Sequence, residues 1–145
     1  MKRRRAVVLA ACAATVGAVV AALAVGGCGG TQQPALEGTS WKLSAWAESF
    51  SWPADVTITA AFDASKVTGN SGVNSYFGEY KRDDDGAFSA GPIGSTMMAG
   101  PEAAMKAEQA YVQRLEAAES YAVNGSTLVL RDAGGKDSLT FTATD

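Results

Sequence analysis

The residue types that carry most enzyme chemistry are scarce in this chain of 145 residues. It contains no histidine and only two cysteines, Cys12 and Cys28. Without histidine, Ser-His-Asp and Cys-His nucleophile systems are excluded, and the commonest metal ligand is missing. No Ser-x-x-Lys sequence supplies a serine–lysine alternative. The sequence therefore predicts a protein that is not an enzyme and that holds no cofactor and no metal ion.

Two stretches have the composition of ligand-binding loops but not the spacing. The glycine-rich residues 69–72 lack the pattern of a P-loop or a dinucleotide fingerprint, and no predicted helix follows them. The stretch of three aspartates and a glycine at residues 83–86 lacks the spacing of an EF-hand and lies beside Lys81 and Arg82. We interpret the first stretch as a turn that needs positive φ, and the second as the tip of a hairpin.

Glu108 is the polar residue that the pattern places inside an apolar helix face. It follows Met105 by three residues and precedes Val112 by four. A buried carboxylate must be paired or hydrogen-bonded, or it becomes protonated. We expect Glu108 to bond turn amides or hydroxyls near Asn74 and Thr96, so that these three residues form a structural polar cluster. The alternatives are an acid of raised pKa in a cleft and a side chain that is simply exposed.

Three aromatic residues, Trp46, Phe50 and Trp52, lie in the first long predicted loop. Pro53 excludes a central strand there, because proline cannot donate to a sheet ladder. Aromatic loops at the mouth of a barrel hold small apolar molecules or partners in some proteins. In others they plug the end of the barrel. The two interpretations for this loop are therefore a ligand or partner surface and a part of the core.

Short alternating segments separated by turn residues predict a curved antiparallel sheet of about seven or eight strands. The clearest has apolar residues at every second position from Val56 to Phe62, and Asn124-Gly125 signals a hairpin. The predicted strands are residues 40–45, 56–62, 67–69, 74–82, 87–93, 120–123, 127–131 and 138–142.

The predicted helix runs from about Pro101 to Ala118. Pro101 suits the first helical position, and Glu102 suits the positive end of the helix dipole. The predicted apolar stripe of the helix consists of Met105, Val112, Leu115 and Ala118. Such a helix must bury its stripe on the sheet, so the fold class is α+β, barrel-like, with one helix packed on the sheet.

The N-terminal residues 1–27 read as a lipoprotein signal peptide. Four cations at positions 2–5 precede an uncharged run from Ala6 to Gly27, and small residues come directly before Cys28. We expect cleavage before Cys28 and lipidation of that residue; Cys12 lies too early, and a retained helix is the alternative. Residues 28–36 are then a lipidated tether and residues 37–145 the domain. This predicts an exported protein anchored to the outer face of the bacterial cell membrane or to another envelope membrane.

The charge of the mature chain argues against nucleic acid as a partner. Removing the four N-terminal cations from twelve leaves 8 Lys and Arg against 15 Asp and Glu, a net charge of −7. Binding to nucleic acid needs clustered cations that replace counterions. Attraction to anionic lipid is also missing, so the lipid chains on Cys28 would hold the protein to the membrane.

Several long motifs of the chain resemble one family. They are LEGTSWKLSAW, VTGNSGVNSYFGEY, IGSTMMAGPEAAMKAEQAYVQRLEAAESYAVNGSTLVLRD and LTF. Together they are similar to the META domain family, which includes HslJ-like heat-shock proteins. Its members are bacterial envelope proteins of unsettled biochemical function that are linked to heat stress and to tolerance of aminocoumarin antibiotics. A cysteine pair common in the family maps to Val73 and Gly100, so the resemblance implies that these two residues are neighbours.

The resemblance and the missing catalytic residues lead to one functional expectation. The protein is expected to be a non-enzymatic, membrane-tethered envelope domain, either a binding module or a stress-related envelope-maintenance module. The alternative is a chaperone-like or small hydrophobic-ligand-binding lipoprotein linked to drug or heat tolerance. Its partners would be the membrane and an envelope protein or a small hydrophobic ligand.

Overall fold

The computed structural model describes residues 33–47 and 52–144. This part of the chain contains nine strands and the helix α1, Glu102–Glu116. The strands are β1 Thr39–Trp46, β2 Thr59–Phe62, β3 Lys66–Asn70, β4 Ser75–Arg82, β5 Phe88–Ala90, β6 Gly94–Ser95, β7 Ser120–Asn124, β8 Thr127–Arg131 and β9 Asp137–Ala143.

The strands form one antiparallel sheet that almost closes on itself. Its order is β5-β4-β3-β2-β1-β9-β8-β7, and β6 pairs with β4 beside this path. The two ends of the path meet at a bridge between Ala87 and Ser120. Beside that bridge the amide of Tyr121 donates to the carbonyl of Gly86 over 2.8 Å. The predicted α+β, barrel-like fold is confirmed.

The alternation of apolar residues along the strands directs one set of side chains into the barrel. Trp41 and Leu43 of β1 are buried while their neighbours are exposed, as the period of two predicts. The predicted strand from Val56 is shorter than expected, because regular pairing begins only at Thr59. Ile58 is still buried and accepts a hydrogen bond from the amide of Leu43 over 2.9 Å.

The face through which the helix packs on the sheet matches the predicted stripe at Leu115 and Ala118 but not at Met105 and Val112. Its buried residues are Ala104, Ala107, Glu108, Tyr111 and Leu115. Met105 instead keeps 36% of its surface exposed, and Val112 is only half-buried. Met105 lies about 100° around the helix from Ala104, so only one of them can face the sheet. Small alanines at the contact bring the helix close to the sheet, which favours the Ala104 face.

The ends of the helix agree closely with the prediction. Pro101 has extended backbone angles and directly precedes the first helical residue, Glu102. Ala118, just beyond the last turn, is buried. Within the two described ranges, no helix combines the length and the apolar character needed to cross a membrane.

Gly69 lets two backbones of the sheet approach closely. A Cβ atom at this position would lie 2.1 Å from the carbonyl oxygen of Thr59 and 3.0 Å from the ring of Tyr76. That carbonyl also accepts a hydrogen bond from the hydroxyl of Tyr76 over 2.9 Å. Gly72, three residues later, has a φ of +129°, which residues with a side chain rarely adopt. The glycines of this stretch therefore serve the sheet and its turn.

We predict that Gly69→Ala destabilises the domain by about 3 kcal/mol, because the new methyl group overlaps backbone that cannot rotate away. Urea unfolding followed by tryptophan fluorescence measures the change. Gly91→Ala is the control, since a Cβ atom there meets its nearest neighbour at 3.5 Å, an ordinary contact. Equal losses of stability in the two variants would contradict the close approach at Gly69.

Candidate functional site

The carboxylate of Glu108 is enclosed by hydrogen-bond donors from the turn between β3 and β4. Its Oε2 atom accepts bonds from Ser71 Oγ at 2.8 Å, Val73 N at 3.2 Å and Asn74 N at 2.8 Å. Its Oε1 atom accepts a fourth bond from Asn74 Nδ2 at 2.8 Å. Only 8% of the residue is exposed. A helix residue thus binds a turn that lies more than thirty residues earlier in the sequence.

Asn74 connects this carboxylate to the segment that leads into the helix. Its Oδ1 atom accepts bonds from Thr96 Oγ1 at 2.9 Å and from the amide of Met98 at 2.7 Å. Its Nδ2 atom also donates to the carbonyl of Met98 at 3.2 Å. The structure therefore brings Asn74, Thr96 and Glu108 into one cluster, in which Asn74 joins the other two.

Local geometry explains why the turn presents its amides to Glu108. The amide of Ser71 donates to the carbonyl of Asn74 over 2.8 Å and closes the turn. The side chain of Asn70 accepts a bond from the amide of Gly72 over 2.8 Å, as in an Asx-turn. These contacts leave the amides of Val73 and Asn74 directed at the carboxylate.

The pKa of Glu108 is the balance of two opposing effects. Burial disfavours the charged form and by itself raises the pKa. The hydrogen bonds from Asn74, Ser71 and Val73 favour the carboxylate and outweigh burial, so the pKa lies below its ordinary value. The alternative of an acid with a raised pKa in a cleft is therefore wrong: this group stays ionised.

Val73 and Gly100 lie against each other at the edge of this cluster. An ideal Cβ atom on Gly100 would be 3.3 Å from the Cβ atom of Val73 and 2.7 Å from its Cγ2 atom. The valine side chain occupies the space above the glycine.

Comparison with known proteins identifies the family. The model of the META domain matches residues 34–145. The chain belongs to the META domain family. A search of curated proteins finds no match to it.

Solved structures with a similar fold include an NMR structure of a protein from Burkholderia xenovorans. That protein is 30% identical, with a TM-score of 0.64, and the match covers 75% of this chain and 83% of the other. A DUF4847 family protein from Bacteroides vulgatus ATCC 8482 is 15% identical, with a TM-score of 0.53, and the match covers 74% and 93% of the two chains. At that identity the second likeness supports the fold alone.

Inside the META domain, two tyrosine hydroxyls form a short buried chain that the sequence did not indicate. The hydroxyls of Tyr76 and Tyr111 lie 2.7 Å apart, and Tyr76 donates to the carbonyl of Thr59 over 2.9 Å. Tyr111 must then donate to Tyr76. Burial raises the pKa of both phenols well above the usual range, so both remain protonated. The spacing of Tyr111 from Glu108 is the signal that places it on the same helix face.

The aromatic loop packs against the domain where it is described. The rings of Trp46 and Trp52 meet edge to face with centroids 4.7 Å apart. The guanidinium of Arg114 lies 5.2 Å from the centre of the Trp46 ring. Trp46 was expected in the loop but is the last residue of β1, where it is buried; Trp52 is half-buried. Phe50, the third residue of the predicted ligand or partner surface, lies outside the described residues, as does Cys28.

The acidic stretch after β4 forms a tight turn. A carboxylate oxygen of Asp83 accepts bonds from the amides of Asp85 at 3.0 Å and Ala87 at 2.9 Å. Arg82 forms an ion pair with Asp84 at 2.8 Å. In the described part of the chain, no group of three or more potential metal ligands comes together.

We predict that Glu108→Leu lowers the free energy of unfolding by about 3 kcal/mol or more, because it leaves buried donors without a partner. Glu108→Gln should lose less free energy of unfolding, since its one amide oxygen still accepts hydrogen bonds from some of the donors of the turn. Urea unfolding at neutral pH measures both variants. Equal stability of the two variants and the wild type would show that the turn does not depend on this side chain.

The same carboxylate should make stability pH-dependent. The folded-state pKa of Glu108 lies below the unfolded value of about 4.3. Its contribution to the free energy of unfolding is therefore fully present above that pH and is lost as the pH falls through the folded pKa. The stability difference between wild type and Glu108→Gln should therefore shrink in acid. A difference that stays constant from pH 7 to about pH 3 would contradict the lowered pKa.

We also predict that the double variant Val73→Cys, Gly100→Cys forms a disulfide under mild oxidant. The 3.3 Å between the two Cβ positions lies just below the range of about 3.5–4.5 Å found in disulfides, so a small backbone shift brings the pair into range. The closed loop of about 28 residues should raise stability by roughly 3 kcal/mol. Thiol titration and urea unfolding check both effects, with the reduced variant as control. A double variant that stays reduced would contradict the geometry.

Proposed function

We propose that this META domain protein is a non-enzymatic, lipid-anchored envelope protein that binds another envelope component. The enclosure of Glu108 carries the proposal. This carboxylate was expected to be structural, with an acid in a cleft as the alternative, and its two oxygens accept bonds from four donors of the fold. Ser71, the hydroxyl nearest to it, is completely buried. These groups bond one another and hold the turn to the helix.

The lipid anchor is supported by the N-terminal sequence. Val25-Gly26-Gly27 precedes Cys28 at the end of a long uncharged run. Membership of the META domain family supports a stress-related role in envelope maintenance, because the resembling proteins are linked to heat and antibiotic stress. The tethered domain would then act in the envelope by contact with a partner.

A chaperone-like role is a second candidate, and a specific observation favours it. Phe77, Met97 and Met98 are large apolar residues with 60%, 97% and 59% of their surface exposed. Single exposed apolar residues are common, whereas groups of them mark binding surfaces. These three come from β4 and from the residues that follow β6.

The anchor is tested by labelling cells with radioactive palmitate in a bacterial host that processes lipoproteins. The wild-type chain should carry the label and remain with membranes after a carbonate wash. Cys28→Ala should lose the label and remain as the uncleaved precursor. Cys12→Ala is the matched control and should behave as the wild type. Palmitate label on Cys28→Ala would overturn the proposed anchor.

A further inference from the structure

The barrel is closed between β5 and β7, the two ends of the strand path, by few direct bonds. One isolated bridge joins the two sides in the described part of the chain. The amide of Phe88 donates to the carbonyl of Glu119 over 3.0 Å. The amide of Tyr121 donates to the carbonyl of Gly86 over 2.8 Å. By contrast, β1 and β9 are joined through five residue pairs. We call the junction of β5 and β7 the seam.

Next to the bridge, Gln33 takes the place of a strand between the two sides of the seam. Its main-chain amide donates to the carbonyl of Asp84, in the turn after β4, over 2.9 Å. Its side-chain oxygen accepts a hydrogen bond from the amide of Val123, in β7, over 3.0 Å. Val123 lies two residues beyond Tyr121, so the two amides point to the same edge of β7. One residue thus bonds both sides of the seam. We call residues 33–36 the strap.

The other strap residues also fit against the seam. The carbonyl oxygen of Pro34 lies 3.3 Å from the hydroxyl of Tyr121. The side chain of Leu36 is completely buried and belongs to the core. An ideal Cβ atom on Gly86 would lie 3.3 Å from Cγ of Gln33 and 3.1 Å from the carbonyl oxygen of Tyr121. The strap therefore packs closely on the turn before β5 and on β7.

The strap is held by fewer bonds than the strands that it joins. It belongs to no strand, and its removal breaks none of the strand pairings of the sheet. Proline has no amide hydrogen, and both Pro34 and Ala35 are exposed. Segments with few main-chain bonds and few buried side chains open at a lower free-energy cost than paired strands. The contacts of the strap are therefore the ones that can break while the sheet stays folded.

We propose that the strap is a conformational device that leaves the barrel as a unit, opens the seam and closes again, while the rest of the sheet stays folded. The open form presents the amide of Val123, the carbonyl of Asp84 and the core site of Leu36 to solvent. Because the strap continues directly into the N-terminal segment, a pull on that segment acts on the bonds that close the seam. The coupling of the seam to the membrane rests on the proposed anchor on Cys28.

A thiol placed in the strap measures this opening. Leu36→Cys and Leu139→Cys each replace a completely buried leucine, the first in the strap and the second in β9. The processed full-length variants are treated with iodoacetamide in detergent, and mass spectrometry locates the label. Leu36→Cys should react about a hundredfold faster than Leu139→Cys, because a local opening costs less free energy than global unfolding. Circular dichroism verifies that both variants are folded. Equal reaction rates of the two thiols would overturn the proposal.

Adding Gly69→Ala to each thiol variant separates local opening from global unfolding. Gly69 pairs with Tyr76 near the start of β4, whereas the strap bonds Asp84 beyond its end. The loss of stability predicted above for Gly69→Ala should speed the labelling of Leu139→Cys by about a hundredfold, at a factor of ten for each 1.4 kcal/mol. The labelling of Leu36→Cys should stay unchanged. Equal acceleration of both thiols would mean that the strap leaves only when the whole domain unfolds.

Amide hydrogen exchange of the unsubstituted protein gives a second measurement. The amide of Val123 donates to the strap, and that of Leu43 donates to the carbonyl of Ile58. The amide of Val123 should exchange faster and depend little on urea, whereas that of Leu43 should depend strongly on it. The same urea dependence at both amides would contradict a local opening. The palmitate experiment decides the anchor separately: without the label, a fast Leu36→Cys thiol still supports the strap, and only its coupling to the membrane is lost.

Discussion

The bond between the carboxylate of Glu108 and the turn before β4 is the constraint on which the rest of this META domain depends. A charge removed from water is costly unless donors surround it. The turn supplies four donors to this carboxylate, three of them through Val73 and Asn74. Because Asn74 also holds Thr96 and Met98, one side chain of the helix orders two loops. The orientation of α1 on the sheet and the path of the chain into α1 follow from this arrangement.

Below the cluster, large aromatic side chains fill the barrel. The rings of Tyr76 and Tyr111 pack edge to face at 5.5 Å, and Tyr111 meets Phe141 of β9 at 6.3 Å. Burial removes the apolar surface of each ring from water. The hydroxyl of Tyr111 donates to that of Tyr76, which donates to the carbonyl of Thr59, so both hydroxyls are hydrogen-bonded. One face of α1 therefore carries both Glu108, in the polar cluster, and Tyr111, among the aromatic rings inside the barrel. Ala104 and Ala107 are small and buried, which lets the helix lie close enough to the sheet for Tyr111 to contact Phe141.

Most of the parts of this structure that the sequence predicted follow from local spacing; the exceptions are the grouping of Asn74 and Thr96 with Glu108 and the contact of Val73 with Gly100. Alternation along β1 and β8, the hairpin around Gly125 and the helix between Pro101 and Ala118 each depend on residues near one another in the chain. The helix face was predicted correctly at Leu115 and Ala118 and wrongly at Met105, because Met105 is more apolar than Ala104 whereas a small residue lets the helix lie closer to the sheet. The place of Ser71 in the cluster and the Tyr76–Tyr111 pair join segments that are far apart in sequence. Such contacts have no periodic signature in a single chain.

The pairing of the first and last strands has a consequence for the order in which the domain is completed. β1 lies between β2 and β9, with Leu43 opposite Phe141. The bridge from Ala87 to Ser120 closes the other side only when β7 is present. In a chain synthesised from its N-terminus, one edge of β1 therefore stays unpaired until β9 has been made. Long-range pairings of this kind slow folding and leave apolar strands accessible in the meantime. Loss of β9 would remove the neighbour of β1 and interrupt the path of paired strands that closes the barrel.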